Sequence, residues 1–562
     1  MAPPPYKPED EEVNRYFYGF SGNPRLVART GHTRWVKSLS TEAGWGQRLV
    51  QDRKYYLPVQ DPEIIEKWNK NKELSFQIMG LLDQCNWSYF FPVRTGLRDD
   101  YNHRKGVPAT ILLIAVEPAS LQWEAGIKIA LGCRDLIQKL GIFDVEVEII
   151  EGRYTEHAAS IELEPFLDHK DEIGKRILPL LSYIGYPIAY LEDKKGQGTI
   201  GLHVKLGDDP KIYGLTCRHV VWNHRKAHES YKSSEDKSSE DNRQFHIQAN
   251  QTTFYTIRDK LGLKKEELEE SVKLRERRIS KWDEIYQWDP PENVSPPNRN
   301  DRQQLAMLKE DLSRYASTLR ILTKYEERKE RQIGHLAFLP SFTCSPRRLG
   351  YLRDWALIEL DLSKFPRAPN NNILLNLPKE INQPLGLSFL EQELVLPNAD
   401  TTFPKFVAKR GATTGLTVGK MSGIEAVVRR PGHGEDGDGF TWELLIIPEI
   451  GAPGDVNVPP ERFSYKGDSG SAIFDGSGTV VGIVTAGTDS GVWRGVPGKQ
   501  TSSSLESRKL EGGLNIEPQD ADKTPTSERV EIPIGTDVTF AQPIKWVLDD
   551  IEEFTGQKVQ LA

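Results

Sequence analysis

Three residues of the 562-residue chain stand in settings that suit acyl-transfer chemistry. His219 follows an apolar run in LTCRHVV, Asp354 heads another in RDWALIEL, and Ser469 lies among glycines in KGDSGSAIF. A serine hydroxyl is a weak nucleophile until an imidazole takes its proton, and the imidazole needs a carboxylate to fix its tautomer and stabilise its cation. Glycines beside the serine let backbone N–H groups converge on a developing oxyanion. Taken singly, the motifs have ordinary explanations: a surface histidine, a strand start, a β-turn. Together, in the order His, Asp, Ser and in strand-rich surroundings, they point to one nucleophilic site.

Residues so far apart in the chain need a strand scaffold to meet. From about residue 180 the sequence breaks into short β-like runs punctuated by Gly and turn pairs, IGYPIAYL, GTIGLHVKL and KIYGLTCRHVVWN. The texture resumes with IGHLAFLPSF and YLRDWALIELDL and continues through FVAKRGATTGLTVGKMSGIEAVVRR, FTWELLIIPE, SAIFDGSG and TVVGIVTAG. DVTFAQPIKWVLDDIEEFTG reads as a strand entering a terminal helix that Gly556 ends. Residues 225–331 interrupt the strands with two charge-rich helical stretches separated by DPPENVSPPNR. Leu305, Leu308, Leu312, Tyr315, Leu319 and Leu322 step by threes and fours, as do Ile279, Trp282 and Tyr286. This predicts an antiparallel helical hairpin whose seams bury each other, and a surface that could dock a protein partner.

Ahead of the β-rich part, residues 1–40 mix Pro, Gly and charge without periodicity and read as a disordered or loosely attached arm. Within 41–170, the strand Ala109–Val116, a helix opened by Pro118 and Ser120, and the alternating strand Phe143–Ile150 predict a small α/β domain with one wet sheet face. His103 and His157 lack companions at ligand spacing and read as surface residues.

Composition narrows the function classes. Lys and Arg number 73 against 81 Asp and Glu, a net charge of −8, so no basic field invites nucleic acid. The four cysteines, Cys85, Cys133, Cys217 and Cys344, show no C-x-x-C spacing, which argues against a zinc or redox pair and for reduced thiols. His224 and His228 have i, i+4 spacing but no third ligand, so no metal is expected. The longest apolar run, Ala109–Val116, is far short of a membrane span, and the N-terminus has no apolar signal core. The expectation is a cytoplasmic protein, with the nucleus also open.

LTCRHVV, DWALIEL and GDSGSAIF resemble the histidine, aspartate and nucleophile motifs of the trypsin/chymotrypsin-like serine peptidases. VGIVTAG is similar to that family's substrate-lining strand, FAQPIKWV to its closing strand and helix, and KRGATTGLTVGKMSG to intracellular, disulfide-free fungal and bacterial relatives. The resemblance covers about 180–223 and 331–550. It implies a multidomain α+β chain: a first β-barrel over 180–223 and 331–396, the hairpin inserted at 225–331, a second β-barrel over 397–545 with a loop at 488–530, and a C-terminal helix over 546–562. It also implies His219 as general base, Asp354 as its orienter, Ser469 as nucleophile, and the Gly467 and Ser469 N–H groups as oxyanion hole. Phe463 would form the base of the substrate pocket and Val484, Thr485, Ala486 and Gly487 its wall, a site refusing basic side chains and favouring small or medium apolar ones. A polypeptide is the implied substrate, with no cofactor.

Two departures stand out. Cys217-Arg218-His219-Val220 lacks the disulfide the secreted members carry beside the histidine, and Cys217 reads as a buried packing thiol. No free Ile-Val-Gly-Gly start exists, so Asp468 has no terminal ammonium to order the oxyanion loop. The loop must be preformed or set by a partner or the helical insert. The alternative readings are a catalytically silent protease-fold scaffold and a helical adaptor.

Overall fold

The structure is a computed structural model. It describes residues 5–20, 23–41, 49–99, 103–156, 183–191, 196–222, 229–233, 244–288, 299–345, 350–365, 367–375, 391–397, 404–434, 438–449, 462–489 and 538–562. The architecture is mixed α/β, with one sheet of 12 strands and another of nine carrying most of the core.

The first sheet begins in the segment that sequence reads as an arm. Helix α1 (Asp10–Arg15) leads to strand β1 (Leu26–Arg29), and Phe17, Phe20 and Leu26 are buried. Strands β2 (Arg53–Leu57), β3 (Trp87–Arg98) and β4 (Arg104–Val116), helix α2 (Trp123–Lys139) and strand β5 (Glu146–Glu151) follow. β4 and β5 are parallel, with α2 as their crossover, and β1 pairs with β5. The expected wet face is a correction. Glu148 on β5 is buried, hydrogen-bonded by Tyr16 and ion-paired with Lys54 at 3.4 Å. The supposed arm is what covers it, its aromatic side chains supplying the missing layer. Strand β6 (Arg153–Glu156) ends this part of the chain.

The nine-stranded sheet contains β7 (Leu202–Leu206) and β8 (Tyr213–Thr216), which runs into the helical turn α3 (Arg218–Val221). The expected insert starts later than 225: strands Tyr231–Lys232 and Phe245–Gln248 still belong to this sheet. The hairpin itself is α4 (Gln251–Trp288) and α5 (Arg299–Thr323). Phe254, Leu261 and Leu322 form an apolar base. Further out the helices are joined by ion pairs, Arg275–Asp301, Arg302–Asp283 and Lys309–Glu276, each at 2.7 Å. Leu305, Leu308 and Leu312 are only half-buried, because two helices alone cannot enclose a seam. Strands β9 (Gln332–Leu339) and β10 (Ala356–Leu360) complete the central run of the sheet. Its pairings do not close on themselves among the described residues, which differs from a closed first barrel.

Six later strands pair in an unbroken ring: β11 (Phe406–Gly411), β12 (Gly415–Arg430), β13 (Gly439–Pro448), β14 (Ala472–Phe474), β15 (Val480–Asp489) and β16 (Thr539–Pro543). The ring order is β11, β12, β13, β16, β15, β14 and back to β11. β3 pairs with β12 and β6 with β15, so the N-terminal α/β unit shares a sheet with the ring instead of standing as a separate domain. Of the expected loop at 488–530, residues 490–537 lie outside the described residues and 488–489 end β15. Helix α6 (Ile544–Thr555) stops at Gly556, whose φ is 71°. The C-terminus is not helix to the end: β17 (Val559–Leu561) adds to β7. No helix among the described residues is long and apolar enough to cross a membrane.

Candidate active site

Strand register brings the three chemical residues together. β8 and β10 are antiparallel with Thr216 opposite Ala356, so His219, just beyond one end, meets Asp354, just before the other. The His219 backbone N–H donates to Asp354 Oδ1 at 3.1 Å and ring Nδ1 lies 2.7 Å from Asp354 Oδ2. A carboxylate only accepts, so Nδ1 carries the proton and Nε2 is left as acceptor. Ser469 Oγ stands 2.8 Å from that Nε2. The hydroxyl also faces Thr485 O at 3.0 Å, so its one proton has two acceptors to choose between.

Flanking contacts hold the pieces. α6 grips both neighbours of Asp354: Arg353 Nε donates to Asp550 at 3.0 Å and Trp355 Nε1 at 2.6 Å. The nucleophile loop is tied to the nine-stranded sheet through Thr199, whose N–H donates to Ser469 O at 2.8 Å and whose Oγ1 donates to Gly467 O at 2.9 Å. Gly467 and Gly470 adopt φ of 101° and 91°, conformations a side chain would resist. Among the described residues, neither the Gly467 nor the Ser469 N–H donates to an acceptor of the chain, which leaves both available to an oxyanion.

Charge within the site is set by burial and pairing. Burial opposes a charged His219, but the Asp354 carboxylate, Glu156 and the hydrogen bond to Asp354 outweigh it and hold the imidazole above its ordinary value. Burial likewise opposes ionisation of Asp354, and His219 overrides it, keeping the carboxyl below its usual range. Cys217, His219 and Asp354 offer three ligand-type atoms within 4.8 Å of one another. They do not form a metal set: the His219 and Asp354 atoms are committed to each other, and Cys217 Sγ donates to Val484 O at 3.3 Å. Burial, with the Asp354 charge, pushes the Cys217 thiol well up, so it stays protonated as a packing group.

Asp468 has found a partner that sequence reading missed. Lys409 on β11 reaches it, and Thr414 Oγ1 donates to Asp468 Oδ2 at 2.7 Å, with the N–H groups of Thr413 and Tyr465 each at 2.9 Å. Thus the nucleophile loop is preformed from within the chain, without the helical insert. A lysine inside the β-run FVAKRG was the one available signal. A second buried network lies beside Thr485, whose Oγ1 donates to Glu443 Oε2 at 2.8 Å. Arg430 donates to Glu443 and, at 2.5 Å, to Tyr154 Oη.

The expected pocket residues are placed unequally. Val484, Thr485, Ala486 and Gly487 line β15 next to Ser469 and are buried. Phe463, expected at the pocket base, is fully buried and packs in a cluster with Val407, Met421, Leu444, Ile446 and Ile473. Of the histidines set aside, His103 is exposed and paired with Asp99, and His157, His224 and His228 lie outside the described residues. No protein-family model matches the chain, and no curated protein matches it.

Proposed function

We propose that the chain is a serine endopeptidase of the trypsin/chymotrypsin-like type, cutting polypeptides through an acyl-enzyme. One observation carries the reading: Ser469, His219 and Asp354 are linked by contacts of 2.8 and 2.7 Å in the order that activates a hydroxyl. The base and its orienter come from the nine-stranded sheet and the nucleophile from the six-strand ring. That division supports two barrel-like halves around a cleft, the first open along one edge.

Ser469 Oγ attacks the peptide carbonyl carbon while His219 Nε2 takes its proton. The Gly467 and Ser469 N–H groups receive the oxyanion. His219 returns the proton to the departing amine, and water, deprotonated by the same ring, releases the acid. The chemistry asks for no metal or organic cofactor. A small fluorophosphonate tests the reading, because it bonds only to an activated serine: covalent labelling at Ser469 is expected, and its absence at every residue would overturn the proposal.

The competing reading, a silent scaffold, has one observation on its side. Ser469 is 0 % exposed, and so is the His219 side chain.

A further inference from the structure

The nucleophile's hydroxyl rests against a residue that the strand ladder does not hold. β15 and β16 pair Val484 with Ala541 and Ala486 with Phe540, so Thr485 between them is the extra residue of a β-bulge. Its carbonyl oxygen lies 3.0 Å from Ser469 Oγ and is the hydroxyl's second partner, beside His219 Nε2 at 2.8 Å. An extra residue has no partner opposite it on the neighbouring strand. The position of this carbonyl therefore depends on what anchors the Thr485 side chain.

That anchor is charged. Thr485 Oγ1 donates to Glu443 Oε2 at 2.8 Å and stands farther, 3.2 Å, from Phe540 O. The other carboxylate oxygen of Glu443 accepts from Thr441 Oγ1 at 3.0 Å and from Arg430, whose Nε donates to Thr441 Oγ1 at 3.2 Å. Register sets the three on one face: Ala426 stands opposite Glu443, Val428 opposite Thr441, and Arg430 follows in the same alternation. Arg430 also reaches the N-terminal unit, donating at 2.5 Å to Tyr154 Oη of β6, whose ring centroid lies 4.0 Å from the guanidinium carbon. Glu443 is 0 % exposed and Arg430 4 %. An apolar pair of similar volume is often as stable as a buried ion pair, so packing does not account for these charges. What the pair supplies, and an apolar one cannot, is a fixed acceptor for Thr485.

We propose that Glu443 and Arg430 are positioning residues for the nucleophile, acting through Thr485 and braced by Tyr154 from the N-terminal unit. The proposal rests on the peptidase reading above. With Thr485 anchored, its carbonyl keeps Ser469 Oγ in the orientation from which His219 Nε2 takes the proton. With the anchor gone, the bulge relaxes and the hydroxyl loses that alignment. A misplacement of about 1 Å at a reacting atom costs on the order of 100-fold in rate. The same line of contacts gives the N-terminal α/β unit a part in the chemistry, because Tyr154 holds the guanidinium that holds Glu443.

Fluorophosphonate labelling rates, peptide kinetics and melting temperatures of the whole chain test this. Arg430→Met combined with Glu443→Leu removes both charges and strands neither, so melting should stay close to wild type. Labelling and kcat should nonetheless fall about 10- to 100-fold, with KM little changed. Thr485→Val should fall as far, and adding it to the combined variant should cost little more, because both break one link. Thr485→Ser, which keeps the hydroxyl, should recover most of the rate, and Tyr154→Phe should lower it a few-fold. A combined variant that labels at the wild-type rate overturns this inference and leaves the peptidase reading standing. Losses that multiply when Thr485→Val is added, or a rise in KM with kcat unchanged, overturn it equally. If the combined variant does not fold, equal rates for Thr485→Val and Thr485→Ser overturn it instead. Wild-type protein that does not label at Ser469 overturns both this inference and the peptidase reading.

Discussion

Lys409 Nζ lies 3.2 Å from Asp468 Oδ2, and both side chains are 0 % exposed. Burial pulls the Lys409 ammonium below its ordinary value, and the Asp468 carboxylate only partly restores it. Removing one member of such a pair strands the other charge. Lys409→Met should therefore cost about 3–5 kcal/mol in denaturant unfolding. Lys409→Met with Asp468→Asn should recover most of that loss, because no unpaired charge remains. Fluorophosphonate labelling should fall in Lys409→Met even where the protein is folded, since Asp468 immediately precedes the nucleophile. Unchanged labelling and stability would remove Lys409 from any role in setting the loop.

The triad residues should behave as a unit. Ser469→Ala and His219→Ala should each lower peptide hydrolysis by about 10⁴–10⁶-fold. Asp354→Asn should be severe but milder than either, because it disturbs the tautomer of His219 without removing the base. Melting temperatures of the three variants, measured alongside, separate lost chemistry from lost fold.

What was legible in the sequence was local. His219, Asp354 and Ser469 each sit in a short motif whose strand or turn context can be read without knowing the partner. Lys409 and Asp468 could not be paired that way: one is in a β-run, the other in a turn, and only the closing of the strand ring brings them together. The same limit explains the N-terminal errors. Glu148 alternates with apolar neighbours, and alternation predicts a wet face; Tyr16 and Lys54, which satisfy its carboxylate, lie far back in the chain, Tyr16 in the stretch without periodicity. The helical hairpin was visible because its period repeats over many turns, whereas β6 is four residues long and takes its meaning from the strand beside it.

His219 offers a pH test. Catalysis needs its neutral ring, and the Asp354 and Glu156 carboxylates hold its pKa above the ordinary value against the opposing effect of burial. Hydrolysis should therefore rise with pH through a midpoint on the alkaline side of a free histidine. Glu156→Gln withdraws one stabilising charge from the imidazolium, so the midpoint should move to lower pH. Histidine NMR titration in the Ser469→Ala background reads this without any cutting; no shift, or a rise, would exclude Glu156 as a neighbour of the base.

Phe463 separates a pocket wall from a core residue. Its ring is 0 % exposed and its centroid is 5.9 Å from Lys409 Nζ, so it roofs the buried ion pair as well as filling the strand ring. The backbone is pinned too: Thr417 Oγ1 donates to Phe463 O at 2.6 Å, which limits collapse into any space left behind. Phe463→Ala should cost about 3–5 kcal/mol, the range for a phenyl group lost from a core that relaxes only partly. Phe463→Leu, which refills most of the volume, should cost clearly less. A ring lining an open groove would give the opposite pattern, with little change in the unfolding midpoint and a marked gain in the size of side chain accepted. Denaturant unfolding and a positional-scanning peptide library on the same variants therefore distinguish the two. With the ring in the core, wild type and Phe463→Leu should share one preference for small or medium apolar side chains, and neither should cut after Lys or Arg.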